Sequence, residues 1–385
     1  MRTPEGAPHT LEIELLGRPL RLTTRPGLPG WRGVEQARRL LIQGMEVDPE
    51  DHVLELACGY GLCGLVAALL ATRGQATLAD DDLLAIECTQ ANLRQNQAAN
   101  ASTLLTADYA EIDSAAYDVV LLHAPAHRGN ALVHQLIAVA QRALRPGGRF
   151  YLAGGMREGF PTFQRQVEAF FRTVEVVVRG GGYRVLRAIK GEGEERAGPS
   201  PEPAEFTATL RGHTFRFRSR PGVFSHGQVD PASRLLLEVA EVGPADQVLD
   251  LGCGYGLLGI VAARLAPQGQ AVLVDRSLLA VELARENVRL NGLENAAVLA
   301  GDGVAPVAGR SFDLVLCNPP FHAGRPADRR VGERLVAQGA AVLHPGGRLY
   351  VVCSEFLPYE RVLRERLEQV AEVARRGGFK VLQGE

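Results

Sequence analysis

Residues 250–259 read DLGCGYGLLG and follow the short apolar run Gln247–Leu249. Three glycines at alternate positions allow a sharp backbone turn and a close approach of the backbone to a ligand. The apolar stretch Leu258–Leu265 comes next and has the pattern of a helix, whose first N–H groups would point into the same turn. The stretch therefore predicts a strand, a ligand-binding turn and a helix, which together begin an open α/β sheet.

A second apolar run, Ala271–Val274, ends in Asp275, about 20 residues after the glycines, where an acidic side chain suits the hydroxyls of a ribose. Nicotinamide-binding proteins share this outline, but they use the spacing G-x-G-x-x-G so that a pyrophosphate lies on the helix. Here the spacing is G-x-G-x-G, and Asp250 lies two residues before the first glycine, where it would repel a pyrophosphate. The pattern favours S-adenosylmethionine, which carries an ammonium group, a ribose and an adenine but no phosphate.

The tetrapeptide Asn318-Pro319-Pro320-Phe321 follows another apolar run, Phe312–Cys317. Two prolines end the strand and fix the backbone at its carboxyl end, which is where ligands bind in such sheets. The Asn318 amide oxygen and the Pro319 carbonyl can accept hydrogen bonds from an exocyclic NH2 group, and Phe321 can stack on the planar ring that carries it. This arrangement predicts a planar amine substrate, either a nucleobase or an amide.

The chain is a tandem repeat. Residues 51–70 read DHVLELACGYGLCGLVAALL, residues 246–265 read DQVLDLGCGYGLLGIVAARL, and fourteen of these 20 aligned positions are identical. The match extends to Asp80 with Asp275, and to the motif PGGR at 146–149 and again at 345–348. A period this long indicates a duplicated domain.

A polar segment rich in glycine and proline, residues 191–203, separates the copies and has the composition of a linker. We therefore expect a first domain at 1–190 and a second at 204–385. Apolar strands alternate with helical stretches in each copy, which predicts two tandem Rossmann-like domains of the α/β class, mostly parallel sheets with helices on both faces. In the second copy we expect a helix around residues 359–373 and a closing strand at 380–382.

The copies differ where chemistry should happen. The first has His123-Ala124-Pro125-Ala126 in place of the Asn-Pro-Pro-Phe tetrapeptide, and Ala57 in place of Gly252. The amine acceptor and the stacking aromatic are both absent, and an added methyl group lies where the backbone should approach a ligand. We expect the first copy to fold without binding the cofactor, and we expect His123 to be an idle polar residue at a strand end.

Composition excludes several classes of protein. The chain has 385 residues, 46% of them hydrophobic and 22% charged, with a formal net charge of −2, which is ordinary globular composition and does not by itself indicate a nucleic-acid-binding protein. No apolar run has the length of a membrane span and no signal-peptide core is present, so we expect a cytoplasmic protein. The six cysteines form no C-x-x-C pair and no zinc-type cluster with histidine, so we expect no metal.

These features together resemble the RsmC family of bacterial 16S ribosomal RNA guanine-N2 methyltransferases. Three motifs carry the resemblance: Pro221-Gly222-Val223-Phe224-Ser225, Asp250 to Gly256, and Asn318-Pro319-Pro320-Phe321-His322. The resemblance covers the whole chain, with an active second domain and a degenerate first one. It implies S-adenosylmethionine as cofactor and the 16S rRNA of the small ribosomal subunit, or an assembly intermediate, as partner, with guanine 1207 as target.

The resemblance also assigns roles to residues of this chain. The cofactor-binding set would be Asp250, Gly252, Gly254, Gly256, Asp275, Asp302 and Asn318, with Asp302 accepting from the adenine amine. The catalytic set would be Asn318, Pro319 and Phe321, and the substrate-binding set Phe224, Asn318, Pro320, Phe321 and His322.

Several alternatives stay open from the residues alone. The amine acceptor suits a guanine of the large-subunit rRNA, an adenine or a protein glutamine as well, and a nonenzymatic RNA-binding module is the alternative outside enzymes. For the first domain, we expect a role in docking RNA or in stabilising its partner. Arg32, Arg38 and Arg39 lie near its start, where a helix could present one basic face to phosphates.

Overall fold

The computed structural model describes residues 7–193, 203–320 and 326–385. The chain divides into two compact units, one within residues 7–202 and one within 203–385. In the described residues, no helix is long and apolar enough to cross a membrane.

In its described part, residues 7–193, the first unit contains nine strands and five α-helices. Their bounds are β1 (His9–Leu15), β2 (Arg18–Thr24), α1 (Gln36–Gly44), β3 (His52–Leu56), α2 (Leu62–Leu70), β4 (Gln75–Asp80), α3 (Leu83–Gln95), β5 (Ala101–Leu105), β6 (Tyr117–His123), α4 (Asn130–Ala143), β7 (Leu144–Gly155), α5 (Phe160–Phe170), β8 (Thr173–Gly180) and β9 (Tyr183–Ile189). Short 3-10 helices lie at Ala126–Arg128 and Met156–Glu158.

The second unit repeats this order. Its elements are β10 (Ala204–Leu210), β11 (His213–Ser219), α6 (Pro231–Val239), β12 (Gln247–Leu251), α7 (Leu257–Leu265), β13 (Gln270–Asp275), α8 (Leu278–Leu290), β14 (Ala296–Ala300), β15 (Phe312–Cys317), α9 (Pro326–Ala341), β16 (Leu343–Ser354), α10 (Tyr359–Arg364), β17 (Val370–Arg376) and β18 (Phe379–Gly384), with a 3-10 turn at Ala305–Val307.

Each unit is an antiparallel hairpin followed by a seven-stranded sheet. The sheet orders are β5-β4-β3-β6-β7-β9-β8 and β14-β13-β12-β15-β16-β18-β17. The first five strands of each order run parallel, and the last two pair antiparallel to their neighbours. This confirms the predicted fold class of two tandem, mostly parallel α/β sheets.

Both faces of the second sheet are covered. Val272 and Val274 of β13 join the core cluster that includes Leu335 and Val336 of α9. The residue between them, Leu273, faces the opposite way and packs against α7, where a side chain at Gly259 would lie 2.4 Å from Leu273. Alternate residues of one strand thus pack against helices on opposite faces of the sheet.

Equivalent asparagines join the hairpin to the sheet domain in both units. Asn92 accepts from Thr23 N at 2.6 Å and donates to Tyr60 O at 2.8 Å. Asn287 accepts from Arg218 N at 2.7 Å and donates to Tyr255 O at 2.8 Å. Buried amides with repeated partners show that the polar framework, as well as the apolar pattern, is duplicated.

The helix that we expected around 359–373 ends much earlier. Only Tyr359–Arg364 is helical, while Val370–Arg376 forms the edge strand β17 and pairs with β18 across the turn Gly377-Gly378. Both glycines have positive φ, 62° and 81°, which suits a tight hairpin turn. The prediction was wrong for residues 370–373 because sheet pairing through this turn overrode the local helix pattern.

Candidate functional site

The parallel register of the second sheet brings three motifs to one edge. Asp250 is level with Leu316 of β15, and Leu251 with Cys317, so the glycine turn and Asn318 follow neighbouring strands at the same height. Asp275 ends β13 on the other side of β12. The carboxyl ends of these strands therefore lie side by side at one edge of the sheet, where ligands bind in folds of this class.

The glycine turn borders open space. Gly252, Gly254 and Gly256 all have positive φ, 79°, 56° and 93°, a region that favours glycine. A side chain placed at Gly252 would meet nothing within 4 Å, and one at Gly254 would meet only Val223 Cγ1 at 4.0 Å. The backbone is thus exposed to a space where a ligand can approach it closely.

Asp250 lies beneath this turn. It is 1% exposed, its Oδ2 accepts from Gly259 N at 2.7 Å, and its Oδ1 has no hydrogen-bond partner. Burial raises the pKa of Asp250 to about 7, although the hydrogen bond from Gly259 opposes the rise. A buried carboxylate with an unpaired oxygen is stabilised by a nearby positive charge.

Asp275 is fixed by backbone hydrogen bonds at the end of β13. Its Oδ2 accepts from Gly254 N at 2.9 Å and its Oδ1 from Ser277 N at 2.9 Å. The carboxylate is half-buried and is held beside the glycine turn by the turn itself. A carboxylate in this position accepts hydrogen bonds and donates none.

Asp302 has a protein partner that sequence reasoning missed. Both of its oxygens accept from the guanidinium of Arg334 on α9, at 2.6 Å each. Arg334 is buried, so this bidentate pair ties the loop after β14 to α9. The role of Asp302 towards an adenine amine stays a prediction.

Asn318 is held in one orientation by two side chains of the α6 N-terminus. Its Nδ2 donates to Asp230 Oδ2 at 3.1 Å and to Ser233 Oγ at 2.8 Å. An ionised carboxylate only accepts, so the amide nitrogen must face Asp230 and the amide oxygen must face away. Among the described residues, no hydrogen bond to that oxygen is found, and an amide oxygen in this orientation can accept from an amine.

The prolines after Asn318 differ in environment. Pro319 is buried and lies near Gly332 of α9, whereas Pro320 is exposed. Phe321 and His322 lie outside the described residues, so their assigned roles stay predictions.

The segment between β11 and α6 contributes two apolar residues to this region. Val223 is buried and is the neighbour of Gly254, while Phe224 is 57% exposed and is followed by Ser225 with φ of 56°. The Ser225 hydroxyl donates to Gln228 O at 3.2 Å, which stabilises the turn. An exposed aromatic on a fixed turn is available for stacking, but its contact with a substrate stays a prediction.

The sequence contained a weak signal for the residues that we missed. Asp230 followed by Pro231, with Ser233 three positions on, is an N-cap pattern, and Asp230 does accept from Ser233 N at 2.7 Å. The pattern predicts a helix start. It does not predict contact with Asn318, because the two residues are 88 positions apart and only the fold brings them together.

The corresponding site of the first unit is filled by Arg38. This residue is 2% exposed, donates to Cys58 O at 3.2 Å, and lies over the Tyr60 ring at 4.9 Å from its centroid. A side chain placed at Gly59, the counterpart of Gly254, would lie only 2.8 Å from the guanidinium. The space beside the second glycine turn therefore has no equivalent here.

This finding overturns the expected basic helix face. Arg38 is buried, Arg32 precedes α1 and stacks on Trp31, and Arg39 is half-buried. The prediction was wrong because Arg38 turns inward towards the buried carboxylate of Glu55, at 3.9 Å. The three arginines do not form one exposed face.

A second arginine fills the other end of the first site. Arg128, in the 3-10 turn after β6, forms a bidentate ion pair with buried Asp81, next to Asp80 at the end of β4. Tyr109 is buried among the same groups, and burial, together with the charges of Asp80 and Asp81, raises the pKa of its hydroxyl. These side chains occupy the end of the site at which Asp275 lies in the second unit.

His123 takes the place of Asn318 and faces Glu35, which is the counterpart of Asp230. Its Nδ1 lies 3.7 Å from Glu35 Oε2, and Glu35 in turn accepts from Arg38 Nε at 3.2 Å. Burial and the charge of Arg38 lower the pKa of His123 to about 4, so it is neutral at physiological pH. Ala57, in place of Gly252, has φ of 50°, a strained conformation for a residue with a Cβ.

No group of three or more histidine, cysteine or acidic side chains suited to a metal ion occurs among the residues that the structure describes. The six cysteines are all buried with free thiols.

Comparison with known proteins gives matches over both units. The family model described as "Methyltransferase small domain" matches residues 19–187 and again 214–383. Two curated proteins named "Ribosomal RNA small subunit methyltransferase C" match most of the chain. The one from Pseudomonas entomophila is 33% identical over 70% of this chain and 80% of its own length, and the one from Stutzerimonas stutzeri is 34% identical over 69% and 78%.

A solved structure matches nearly the whole chain. It is the T. thermophilus 16S rRNA N2 G1207 methyltransferase (RsmC) in complex with AdoMet and guanosine, 33% identical, with a TM-score of 0.84 over 98% of each chain.

Proposed function

The chain belongs to the family of ribosomal RNA small subunit methyltransferases C, and from that premise we propose that it transfers a methyl group from S-adenosylmethionine to the exocyclic N2 amine of a guanine in 16S rRNA. By similarity to the T. thermophilus enzyme, the target is the guanine equivalent to G1207.

One observation carries this proposal. The Asn318 amide oxygen is turned away from Asp230 and Ser233, at the end of β15 and level with the glycine turn. An acceptor held in this way suits an NH2 group on a planar ring, and the exposed ring of Phe224 offers a surface on which a base can stack.

The residues of the second unit fit the cofactor. S-adenosylmethionine supplies an activated methyl group on a positively charged sulfur. The open space beside Gly252 and Gly254 admits a ligand next to the backbone, the unpaired Oδ1 of Asp250 favours positive charge, and Asp275 offers acceptors to ribose hydroxyls. Asp302, which is paired with Arg334, would lie at the adenine amine by similarity to the family.

The reaction is a direct displacement. The guanine N2 lone pair forms a bond to the methyl carbon while the pair of the carbon–sulfur bond returns to sulfur, and the N2 proton then leaves to water. The amine is a weak nucleophile because its lone pair is delocalised into the ring. Asn318 Oδ1 and the Pro319 carbonyl would accept hydrogen bonds from the two N–H groups of this amine. These bonds would direct the nitrogen lone pair towards the methyl group and stabilise the positive charge that develops on N2.

We assign the remaining residues by the same similarity. Phe321 would stack on the base, with Pro320 and His322 beside it and Phe224 as a further wall. Residues 204–385 would be the catalytic domain, and residues 1–190 would be a degenerate domain that supports the fold or docks RNA, joined by the linker 191–203.

The partner that we propose is 16S rRNA in the small subunit or in an assembly intermediate. Its target base must be exposed, since a paired guanine is stacked in the helix and uses one N–H of its amine in the base pair.

The test is methyl transfer from labelled S-adenosylmethionine to four substrates: deproteinised 16S rRNA, assembled small subunits, 23S rRNA and total protein. Digestion to nucleosides and mass spectrometry identify the product. We expect N2-methylguanosine at one position of 16S rRNA. Label in 23S rRNA, in N6-methyladenosine or in glutamine would replace the proposal by one of the alternatives, and binding of RNA without transfer would favour the nonenzymatic one.

A further inference from the structure

Two side chains at the N-terminus of α6, Asp230 and Ser233, hydrogen-bond to Asn318. Asp230 caps this helix and accepts from Ser233 N at 2.7 Å, so both side chains are fixed by the helix before any substrate arrives. Both are buried. They face Asn318 from another element of the fold, and each accepts one hydrogen of its Nδ2, at 3.1 and 2.8 Å.

We propose that Asp230 and Ser233 are positioning residues for methyl transfer, which hold the Asn318 amide with its oxygen towards the substrate amine and increase the negative charge on that oxygen. The inference rests on the proposed function, and it adds two residues that act through Asn318.

The first part of the inference is orientation. A primary amide rotates by half a turn at little cost when water surrounds it, and half of its orientations would present N–H groups to an amine and repel it. Asp230 accepts only, and Ser233 Oγ completes the pair, so the flipped amide would place its oxygen against a carboxylate. The correct acceptor is therefore in place without reorganisation.

The second part is charge. Positive charge develops on N2 during transfer, and Asp230 lies one amide away from it. A carboxylate that accepts from the Asn318 nitrogen polarises the amide and strengthens its oxygen as an acceptor, because linked hydrogen bonds reinforce each other. Ser233 alone provides orientation, whereas Asp230 provides orientation and charge.

In the first unit, the same three positions carry different residues and do not hold an amide. The counterparts of Asp230, Ser233 and Asn318 are Glu35, Arg38 and His123, and Glu35 contacts both of the others. There the cap position neutralises a buried arginine instead of orienting an amide, and Glu35 makes no side-chain cap to its helix.

The test separates charge from geometry. Asp230→Asn keeps an acceptor oxygen and an adequate helix cap but removes the charge. We expect kcat for 16S rRNA to fall about tenfold, with the KM for RNA and the Kd for S-adenosylmethionine within twofold of the wild type. Ser233→Ala should lower kcat several-fold. Ser233→Thr keeps the hydroxyl, so its kcat should lie between those of Ser233→Ala and the wild type.

A double-variant cycle excludes a merely structural role. In the Asn318→Ala background, Asp230→Asn should have no further effect on kcat, since the residue acts only through the amide. If the two losses multiply, the inference is wrong. The matched control is Glu35→Gln, which neutralises the aligned acid of the first unit and should leave kcat unchanged.

A second readout does not depend on turnover. The side-chain 15N resonance of Asn318 can be assigned because it disappears in Asn318→Ala. Its NH2 hydrogens should exchange slowly with solvent in the wild type and fast in the variant Asp230→Ala/Ser233→Ala. Fast exchange in the wild type would overturn the inference. If the wild type methylates another substrate, the proposed function fails, while the NMR result and the cycle on that substrate still decide whether Asp230 and Ser233 hold and assist Asn318.

Discussion

The two units carry the same framework around two different sites. Gly59 donates to Asp80 at 2.8 Å as Gly254 donates to Asp275 at 2.9 Å. Gly64 donates to Glu55 at 2.7 Å, as Gly259 donates to Asp250 at 2.7 Å. The second unit leaves space beside these groups, whereas the first fills that space with its own side chains.

The difference shows how acidic groups are neutralised in a unit whose own side chains fill its site. Buried carboxylates that would face a positively charged ligand need another cation once the ligand is absent. In the first unit, Arg38 lies 3.9 Å from Glu55 and donates to Glu35, and Arg128 pairs with Asp81. The same arginines fill the site, so the contacts that stabilise the first unit are also the ones that we expect to exclude the cofactor.

The largest effect should follow from removing the arginine that neutralises the acidic groups of the first unit. Arg38→Met should destabilise the first unit by about 3 kcal/mol or more, because it leaves Glu35 and Glu55 without their buried cation. Denaturant unfolding followed by Trp31 fluorescence measures this. The double variant Arg38→Met/Glu55→Gln should recover part of the loss. A variant as stable as the wild type would show that Arg38 does not stabilise the fold.

A comparable effect, on turnover, is expected for the amine acceptor. Asn318→Ala should lower the rate of methyl transfer on the order of a hundredfold or more, since it removes a hydrogen bond to the developing charge, while the Kd for S-adenosylmethionine changes little. Its matched control is His123→Ala in the first unit, which should leave the rate unchanged. Single-turnover kinetics and calorimetry separate the two quantities, and near-normal turnover of Asn318→Ala would exclude this residue as the acceptor.

The next effect concerns cofactor binding. Calorimetry should give about one S-adenosylmethionine per chain, because only the second unit has room beside its glycine turn. Asp275→Ala should weaken binding about tenfold to a hundredfold through the loss of charged acceptors. Asp80→Ala, at the aligned position, should leave the Kd unchanged. Two comparable sites, or a larger effect from Asp80→Ala, would contradict the comparison.

The smallest effect is a pH dependence. Since the pKa of Asp250 is about 7 without ligand, its proton must leave before the carboxylate can face a cation. S-adenosylmethionine binding should therefore weaken below about pH 7, by at most about tenfold per pH unit, and Asp250→Asn should flatten this profile. Calorimetry in buffers of different ionisation enthalpy would detect the released proton.

The stability of the unliganded protein should change in the opposite sense. The folded state binds the Asp250 proton more tightly than the unfolded state does. The stabilisation of the folded state by this proton is therefore complete below about pH 4 and is lost as the pH rises towards 7. Burial likewise raises the pKa of Glu55 to about 7. Glu55→Gln should therefore alter the stability profile of the first unit while leaving the pH profile of cofactor binding unchanged.

Much of the site could be predicted because it is local in sequence. The turn from Gly252 to Gly256 requires positive φ at alternate residues, which glycine adopts readily, and prolines after Asn318 end a strand by their own geometry. The duplication is likewise visible from aligned letters, and it alone indicated which copy lacks the acceptor.

Predictions failed or were missing where burial and pairing over long distances decide the outcome. Arg38 looks like a surface cation on an amphipathic helix, yet it is buried because Glu55 lies beneath it. Residues 370–373 have a helical pattern in the sequence, but they belong to the edge strand Val370–Arg376, which pairs with β18. Asp302 reads as a turn residue with free acceptors, but Arg334 of α9 pairs with it.

The sequence by itself determined the duplication, which its aligned letters show. It also determined the α/β class, the glycine turn and the placement of Asn318 at a strand end, since these follow from the preferences of neighbouring residues. Only the tertiary structure decided which way the Asn318 amide faces and what fills the site of the first unit. Those outcomes depend on partners such as Asp230 and Glu55, which lie on other elements of the fold. A hydrogen bond or ion pair between distant residues leaves no periodic trace in the sequence, so it becomes visible only when the sheet brings its ends together.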